Sequence, residues 1–265
     1  MRTLVVMPTY EEAANVAAVL HRVRGALPDG EVLVVDDDSP DGTADVATSL
    51  ARDLGGLHVM RRPGKDGLGR AYRAGFAWGV DRGFDILCQM DADLSHEPEA
   101  LPSLIAPVLA DRAELVIGSR YVPGGRIPAW PRRRRALSRV GNWYGGFALG
   151  VGVHDVTSGY RAYRADAVKA AGYDDTQARG YGFLIEMAYR IWQRDGRIVE
   201  VPITFRDRVR GESKMSLSVA VEELRLVTWW GLRDLGARRR RRAPLLPRAE
   251  VDRAEHATAF ARQHG

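Results

Sequence analysis

Ile86-Leu-Cys-Gln-Met-Asp-Ala-Asp-Leu-Ser95 decides how this chain is read. An apolar run breaks off in two carboxylates, Asp91 and Asp93, with Gly83 before it and His96-Glu97-Pro98 after it. A short apolar run between such breakers reads as a buried strand. Residues two apart on a strand point to one side, so Asp91 and Asp93 are expected to face the same way. In an open parallel sheet ligands bind at the carboxyl ends of strands. Two carboxylates there suit one hard divalent cation, Mg2+ or Mn2+, clamping a diphosphate. By itself Asp-x-Asp equally fits a capped strand end, with Asp93 or Ser95 opening the next helix.

The flanking chain alternates strand and helix. Strands are expected at 3–7, 31–36, 57–61, 85–90 and 114–118, and helices at 11–27, 43–54, 69–82 and 98–110. Pro28-Asp29-Gly30, Gly55-Gly56 and Gly83 stop the first three helices. This alternation predicts an α/β fold, a mostly parallel sheet flanked by helices. From Tyr121 the pattern changes. Pro123-Gly124-Gly125 and Pro128-Ala-Trp-Pro131 make a loop, the block Arg132-Arg-Arg-Arg135 follows, and 136–149 mixes aromatic with small residues. A return to the sheet edge is expected at 156–162, a helix at 183–194 and a strand at 197–201. The stretch 214–235 carries Leu217, Val221, Leu224, Thr228, Gly231 and Leu235 at helical spacing, with Trp229-Trp230 and a second arginine block, 238–242, near its end. It fits a helix lying in a membrane interface or one packed on the catalytic domain. Pro244 and Pro247 precede a last polar helical stretch, 249–263.

At 265 residues, 45% hydrophobic and 28% charged, the chain can bury an ordinary globular core. The formal charge is only +5, but its arginines cluster, which suits phosphate head groups or an anionic membrane surface. No nucleic-acid motif accompanies them, so nucleic acid is not an expected partner. The single cysteine, Cys88, sits in an apolar strand and excludes an internal disulfide, fitting a reducing compartment. The chain runs straight into a strand, so no signal peptide is expected. Its best candidate for a membrane span, 141–153, falls short of the ~20 apolar residues required.

Two further strand ends share the edge of Asp91 and Asp93. One is Met7-Pro8-Thr9-Tyr10-Glu11-Glu12; the other is Val35-Asp36-Asp37-Asp38-Ser39-Pro40-Asp41-Gly42-Thr43. Carboxylates there repel phosphate but accept hydrogen bonds from a base N–H or a ribose hydroxyl, so Asp37 and Glu12 are candidate nucleoside readers. Pro40, Gly42 and Thr43 suit a turn and a helix N-cap. Gly64-Lys-Asp-Gly-Leu-Gly69 has Tyr72 where a dinucleotide fingerprint needs glycine, and it lacks the P-loop order. It reads instead as a flexible loop beside the nucleotide, with Lys65 available to phosphate. Phe205-Arg-Asp-Arg-Val-Arg-Gly-Glu-Ser-Lys214 is a basic loop able to fold over a diphosphate through Arg208 and Lys214.

In order and spacing, Pro-Thr-Tyr-Glu-Glu, Val-Asp-Asp-Asp-Ser-Pro-Asp-Gly-Thr, Asp-Ala-Asp-Leu-Ser-His, Gly-Ser-Arg-Tyr and Arg-x-x-Gly-x-Ser-Lys resemble the polyprenyl (dolichyl) phosphate mannosyltransferases of glycosyltransferase family 2. The resemblance covers roughly 3–215. It implies a GT-A-type catalytic domain over 1–212, with an acceptor- and membrane-facing segment about 121–152, and an amphipathic helix and basic tail over 213–265. It implies that Pro8, Tyr10, Glu12, Val35 and Asp37 hold the nucleoside, and that Asp91, Ala92 and Asp93 line the metal and diphosphate, Asp93 being the principal ligand. Arg208 and Lys214 would close over the diphosphate, and Arg120, Arg134 and Ser138 would hold the acceptor phosphate. Asp93, Arg120 and Arg208 are then the catalytic residues. Ser95 stands where some relatives have a metal-binding glutamine.

The implied reaction is inverting transfer of mannose from GDP-mannose to a polyprenyl phosphate at the cytoplasmic face of the membrane. Many relatives add transmembrane helices, so attachment here would fall to the amphipathic segments or to a separate membrane-anchoring protein. The competing readings are a polyprenyl-phosphate glucosyltransferase using UDP-glucose, and a non-catalytic basic protein bound at the membrane surface.

Overall fold

Thr3-Leu-Val-Val-Met-Pro-Thr9 forms the strand around which the sheet is built, β1 (Thr3–Thr9). Its alternate residues feed two separate cores: Leu4 and Val6 face one, Val5 and Met7 the other. A strand buried on both faces needs this continuous apolar run. The computed structural model describes residues 1–178, 180, 182–207 and 217–233, with backbone only over 217–224.

The chain continues through α1 (Ala13–Ala26), β2 (Glu31–Asp36), α2 (Thr43–Leu54), β3 (Leu57–Arg61), α3 (Leu68–Asp81) and β4 (Ile86–Gln89). Next come α4 (Leu101–Leu109), β5 (Leu115–Ser119), α5 (Arg132–Leu149), β6 (Arg161–Arg164), α6 (Ala165–Ala171), α7 (Gly182–Trp192), β7 (Ile198–Pro202) and α8 (Leu217–Arg233). The seven strands lie in the order β3-β2-β1-β4-β6-β5-β7. All run parallel except β6, which is antiparallel to both β4 and β5. Helix α3 lies directly on the sheet. A Cβ at Gly75 would fall 2.3 Å from Val6 Cγ1, and one at Gly79 would fall 2.7 Å from Leu87 Cδ2.

The expected mostly parallel sheet with flanking helices is present, and five details differ. The return strand is Arg161–Arg164 rather than 156–162, and it lies inside the sheet, not at its edge. The reason is directional: α5 follows β5 from the carboxyl edge, so the chain re-enters from that edge and must run down it. The arginine block does not precede a helix; it is the first turn of α5. Cations at a helix N-terminus oppose the helix dipole, which is why the block reads as loop. Helix α1 begins only at Ala13, because Glu11 takes a left-handed backbone, φ 56°. Thr43 does not cap α2, whose N-cap is Gly42 at φ 83°. Its hydroxyl instead accepts the Glu12 amide at 2.9 Å, and Asp41 accepts the Ala13 amide at 3.0 Å, so the β2 loop caps α1. Finally, β4 ends at Gln89 and Asp91 and Asp93 lie in the turn beyond it, where strand alternation does not set their directions.

Helix α8 joins the compact unit Met1–Leu232. Val227 and Trp230 are buried in the core, and Thr228 Oγ1 lies 2.7 Å from Tyr144 Oη on α5. Among the described residues no helix is long and apolar enough to cross a membrane.

Candidate active site

The carboxyl ends of β1, β2, β3 and β4 and the start of β6 all open on one edge. At its centre the 91–96 turn is held by buried groups. The Asp93 carboxylate accepts the Ser95 amide at 3.0 Å, and Leu94 turns through φ 61°. His96, 1% exposed, stacks on Tyr160 with centroids 4.8 Å apart and accepts the Asp91 amide on Nδ1 at 3.2 Å, which leaves the proton of the neutral ring on Nε2. Burial lowers the pKa of this ring, against the opposing pull of Asp91 and Asp93. Tyr72 Oη reaches Asp91 at 3.5 Å from α3, and a Cβ on Gly159 would lie 3.8 Å from both Asp91 carboxylate oxygens. The backbone before β6 therefore passes directly over Asp91.

The donor set suits a hard cation. Among the described residues no group of three His, Cys, Asp or Glu forms a self-sufficient cage. Mg2+ is commonly held by one or two carboxylates together with substrate phosphates. Ser95 Oγ is buried beside Asp93 with no hydrogen-bond partner among the described residues, a polar atom left over at the position singled out above. Asp91 and Asp93 can thus hold a divalent ion whose remaining positions fall to diphosphate and water.

Three neighbouring strand ends form the next part of the edge. Asp37 follows β2, and its amide bonds the Thr9 carbonyl at 3.1 Å. Its carboxylate pairs with Arg62, just beyond β3, at 2.5 Å, with side-chain exposures of 8% and 13%. Burial raises the Asp37 pKa, and Arg62 offsets this only in part. Lys65 Nζ sits 4.0 Å over the Tyr10 ring, beyond β1. Pro8 and Val35 face each other across the β1–β2 ladder. Glu12 accepts from Asn15 Nδ2 at 2.9 Å. The nucleoside readers named from the sequence therefore gather in one place, and Lys65 joins them there on Tyr10.

On the other flank, Arg120 follows β5. Its amide, Nε and Nη2 donate to Asp155 at 2.9, 2.8 and 2.7 Å, and Nη2 also reaches Thr157 Oγ1 at 3.0 Å. Burial pulls the Arg120 pKa down, but the Asp155 bonds and charge outweigh it and leave it raised. Its Nε and Nη2 are committed to Asp155, and Nη1 makes neither of those bonds. Arg134, on α5, bonds Asp207 at 3.0 Å and lies 4.0 Å over the Trp130 ring. One turn later the Ser138 carbonyl accepts from Asn142 Nδ2 at 3.0 Å, and Asn142 Oδ1 accepts the Thr157 amide at 3.0 Å. A single chain of bonds thus joins Ser138 to Arg120.

The segment ending at Asp207 lies beside the 91–96 turn, the Arg206 amide bonding the Ser95 carbonyl at 3.0 Å. Arg208 and Lys214, and the tail beyond Arg233, lie outside the described residues. Sequence reading missed Arg62, His96, Asp155, Thr157 and Asp207. Only His96 carried a local signal, standing three residues after Asp93.

The chain matches a model of glycosyl transferase family 2 over residues 4–172. It is 50% identical over 232 residues to an undecaprenyl-phosphate mannosyltransferase of Micrococcus luteus, covering 88% of this chain and 95% of that one. To a polyprenol monophosphomannose synthase of Mycolicibacterium smegmatis it is 49% identical over 233 residues, 88% of each chain. A solved structure of glucosyl-3-phosphoglycerate synthase from Mycobacterium tuberculosis, bound to Mn2+ and UDP-glucose, shares the fold at TM-score 0.63 and 21% identity, over 89% of this chain and 79% of that one. The sheet architecture is GT-A-like, as expected.

Proposed function

The chain belongs to glycosyl transferase family 2, and from that premise we propose that it transfers mannose from GDP-mannose to the phosphate of a polyprenol at a membrane surface. The observation that carries this reading is the order of groups along one sheet edge. Nucleoside-directed Asp37, Arg62 and Tyr10 stand on one flank of Asp91 and Asp93, and the Arg120–Arg134–Ser138 group stands on the other. The names of the relatives above supply mannose and the lipid acceptor.

A phosphate monoester, with a second pKa near ~6, is largely dianionic at neutral pH and needs no protein base to become a nucleophile. What the chain must supply is alignment and charge. Arg134, Ser138 and Arg120 Nη1 orient the attacking phosphate. Asp155 keeps Arg120 in place and always charged. Attack in line with the departing diphosphate inverts the anomeric carbon, turning an α-linked donor into a β-linked product. Asp91 and Asp93 would hold Mg2+ or Mn2+, which supplies positive charge to the leaving diphosphate. Arg208 and Lys214 would add to that charge.

The exposed apolar surface supports a lipid partner. Of eight exposed large hydrophobic residues among those described, six lie on α5 and α8: Leu137, Val140, Trp143, Phe147, Trp229 and Leu232. Trp143 and Phe147 stack on each other, 5.5 Å apart, and the exposed Arg132 and Arg133 stand at the start of α5. Apolar residues with tryptophans and adjoining arginines suit the headgroup region of a bilayer.

The test is radiolabel transfer from GDP-mannose to a short polyprenyl phosphate, with Mg2+ or Mn2+ and with EDTA, beside Asp93→Ala. Metal-dependent labelling of the lipid, absent in the variant, is expected. Labelling from UDP-glucose in its place would replace the donor, and vesicle binding with no transfer would make the protein a membrane binder only.

A further inference from the structure

Glu200 stands where packing alone asks for an apolar side chain. On β7, Val199 and Val201 pack in the core that holds Val116, and Ile198 packs against the core that holds Ile117. Strand alternation puts Glu200 on the side of Ile198. Its side chain is only 9% exposed, yet both carboxylate oxygens are in use on the loop before β6. Oε2 accepts the His154 amide at 2.8 Å and Oε1 accepts the Asp155 amide at 2.9 Å. The exposed His154 ring also meets Oε2, through Nδ1 at 2.8 Å. One charged acceptor thus grips two successive backbone N–H groups, and charge-assisted bonds are roughly twice as strong as neutral ones.

The second of those amides belongs to Asp155, whose carboxylate takes three bonds from Arg120. Glu200 comes from the strand beside Arg120. On the β5–β7 ladder it is the register partner of Ile117, three residues before Arg120. Arg161 holds the far side of the same loop by the Val156 and Ser158 carbonyls, at 2.5 and 2.7 Å. Glu200 fixes residues 154 and 155 themselves. Both halves of the buried ion pair are therefore referred to the β5–β7 pair of strands, Arg120 through its own chain and Asp155 through Glu200.

We infer that Glu200 is a positioning residue for the acceptor side of the reaction: it fixes the 154–155 backbone so that Asp155 meets Arg120 in one orientation and holds its guanidinium ready for the acceptor phosphate. The inference rests on the reading of Arg120 as an acceptor-phosphate group and extends it to a strand that carries no member of that group. A positioned cation gains over a mobile one because its orientation is set before the phosphate arrives.

The experiment uses the full chain and compares the unmodified protein with Glu200→Gln, Glu200→Ala, Arg120→Lys and the double variant Arg120→Lys with Glu200→Gln. Calorimetry gives binding of GDP and of a short polyprenyl phosphate, so a variant without turnover still reports; transfer from GDP-mannose gives the KM of each substrate. Glu200→Gln keeps the shape and one oxygen but turns an NH2 toward the second amide, and Glu200→Ala removes both acceptors. Glu200→Gln is expected to weaken polyprenyl phosphate binding and raise its KM by about tenfold, the scale of one hydrogen bond to a charged group. GDP binding and the KM for GDP-mannose are expected to hold, and Glu200→Ala is expected to exceed Glu200→Gln on the acceptor alone. In the Arg120→Lys background Glu200→Gln is expected to add little, because lysine lacks the fork that Asp155 orients. If Glu200→Gln weakens GDP and polyprenyl phosphate alike, or adds in full to Arg120→Lys, Glu200 serves the fold alone and the inference fails. If it leaves the acceptor untouched while Arg120→Lys does not, the inference fails and the acceptor role of Arg120 stands. If Arg120→Lys itself leaves polyprenyl phosphate binding unchanged, that role and the inference fail together.

Discussion

Replacing Asp155 by Asn isolates the Arg120 pair. Asp155 is 0% exposed and the Arg120 side chain 8%. Three hydrogen bonds from Arg120, at 2.9, 2.8 and 2.7 Å, end on this one carboxylate. Asparagine keeps one acceptor, removes the charge and turns an amide NH2 toward the guanidinium. Breaking a buried ion pair from one side costs about 3–5 kcal/mol, because the remaining charge stays buried. That is a large share of the ~5–15 kcal/mol that holds a typical domain together. At roughly 2–4 °C per kcal/mol for a chain of about this size, the melting midpoint should fall by about 6–20 °C. The bond chain from Arg120 through Thr157 and Asn142 to Ser138 should loosen with it. Below the new midpoint, the KM for polyprenyl phosphate is expected to rise while GDP affinity changes little. Calorimetric melting and a two-substrate transfer assay read both effects. The double variant Arg120→Met with Asp155→Leu is the control, expected to regain most of the melting loss but not acceptor use. A midpoint within about 2 °C of the parent protein would refute a buried, uncompensated cation, and equal loss of GDP and acceptor binding would refute the acceptor assignment.

Arg134→Ala should leave stability within about 1 kcal/mol, since its pair with Asp207 is exposed at 48% and 43%. It should weaken acceptor use more than GDP binding, and equal loss would move Arg134 out of the acceptor group. Trp143→Ser with Phe147→Ser removes a stacked pair 67% and 72% exposed. Sedimentation with anionic vesicles should fall while the melting midpoint holds; undiminished sedimentation would place the lipid contact elsewhere. Gly79→Ala puts a methyl 2.7 Å from Leu87 Cδ2 and 2.8 Å from Leu4 Cδ2. Overpacking of about 1–3 kcal/mol should outweigh the ~1 kcal/mol gain in helix propensity, and a variant that melts higher would contradict α3 lying flat on β1 and β4. Glu114 has a pKa held below 4.5 chiefly by its hydrogen bonds from Arg197. A lowered carboxylate pKa gives stability that is present above 4.5 and lost as pH falls through the folded value. Glu114→Gln should therefore melt lower than the parent at pH 7, and the gap should close as the pH falls from 4.5 through the lowered folded value; a gap constant with pH would remove the charge from the account.

The strand–helix alternation was legible because glycines stop the helices and the strands are apolar on both faces. Asp91 and Asp93 stood out because charge ends an apolar run, although the turn that carries them begins one residue earlier than strand periodicity suggested. What lay hidden was long-range. Arg120 is 35 residues from Asp155 in sequence, and Asp37 is 25 from Arg62. No local pattern announces such partners. The start of α5 was hidden because four arginines at a helix N-terminus run against the dipole. The amphipathic stretch of α8 allowed two readings: Val227 and Trp230 are in the core, as a packed helix requires, and Trp229 and Leu232 are exposed.

The single antiparallel strand gives the chain a cassette. Residues 120–160 leave the sheet at the end of β5 and return at the head of β6, where Ile117 and Arg161 are ladder neighbours. Arg120, Arg134, Ser138, Asp155 and all of α5 lie within that one excursion. An insert whose two ends sit side by side can change length at about 0.6 kcal/mol per doubling, with no shift in the register of the remaining strands. Under the proposed assignment, a lineage built on this sheet can therefore exchange its acceptor by rewriting one contiguous stretch, while the half proposed to hold the nucleotide is inherited unchanged.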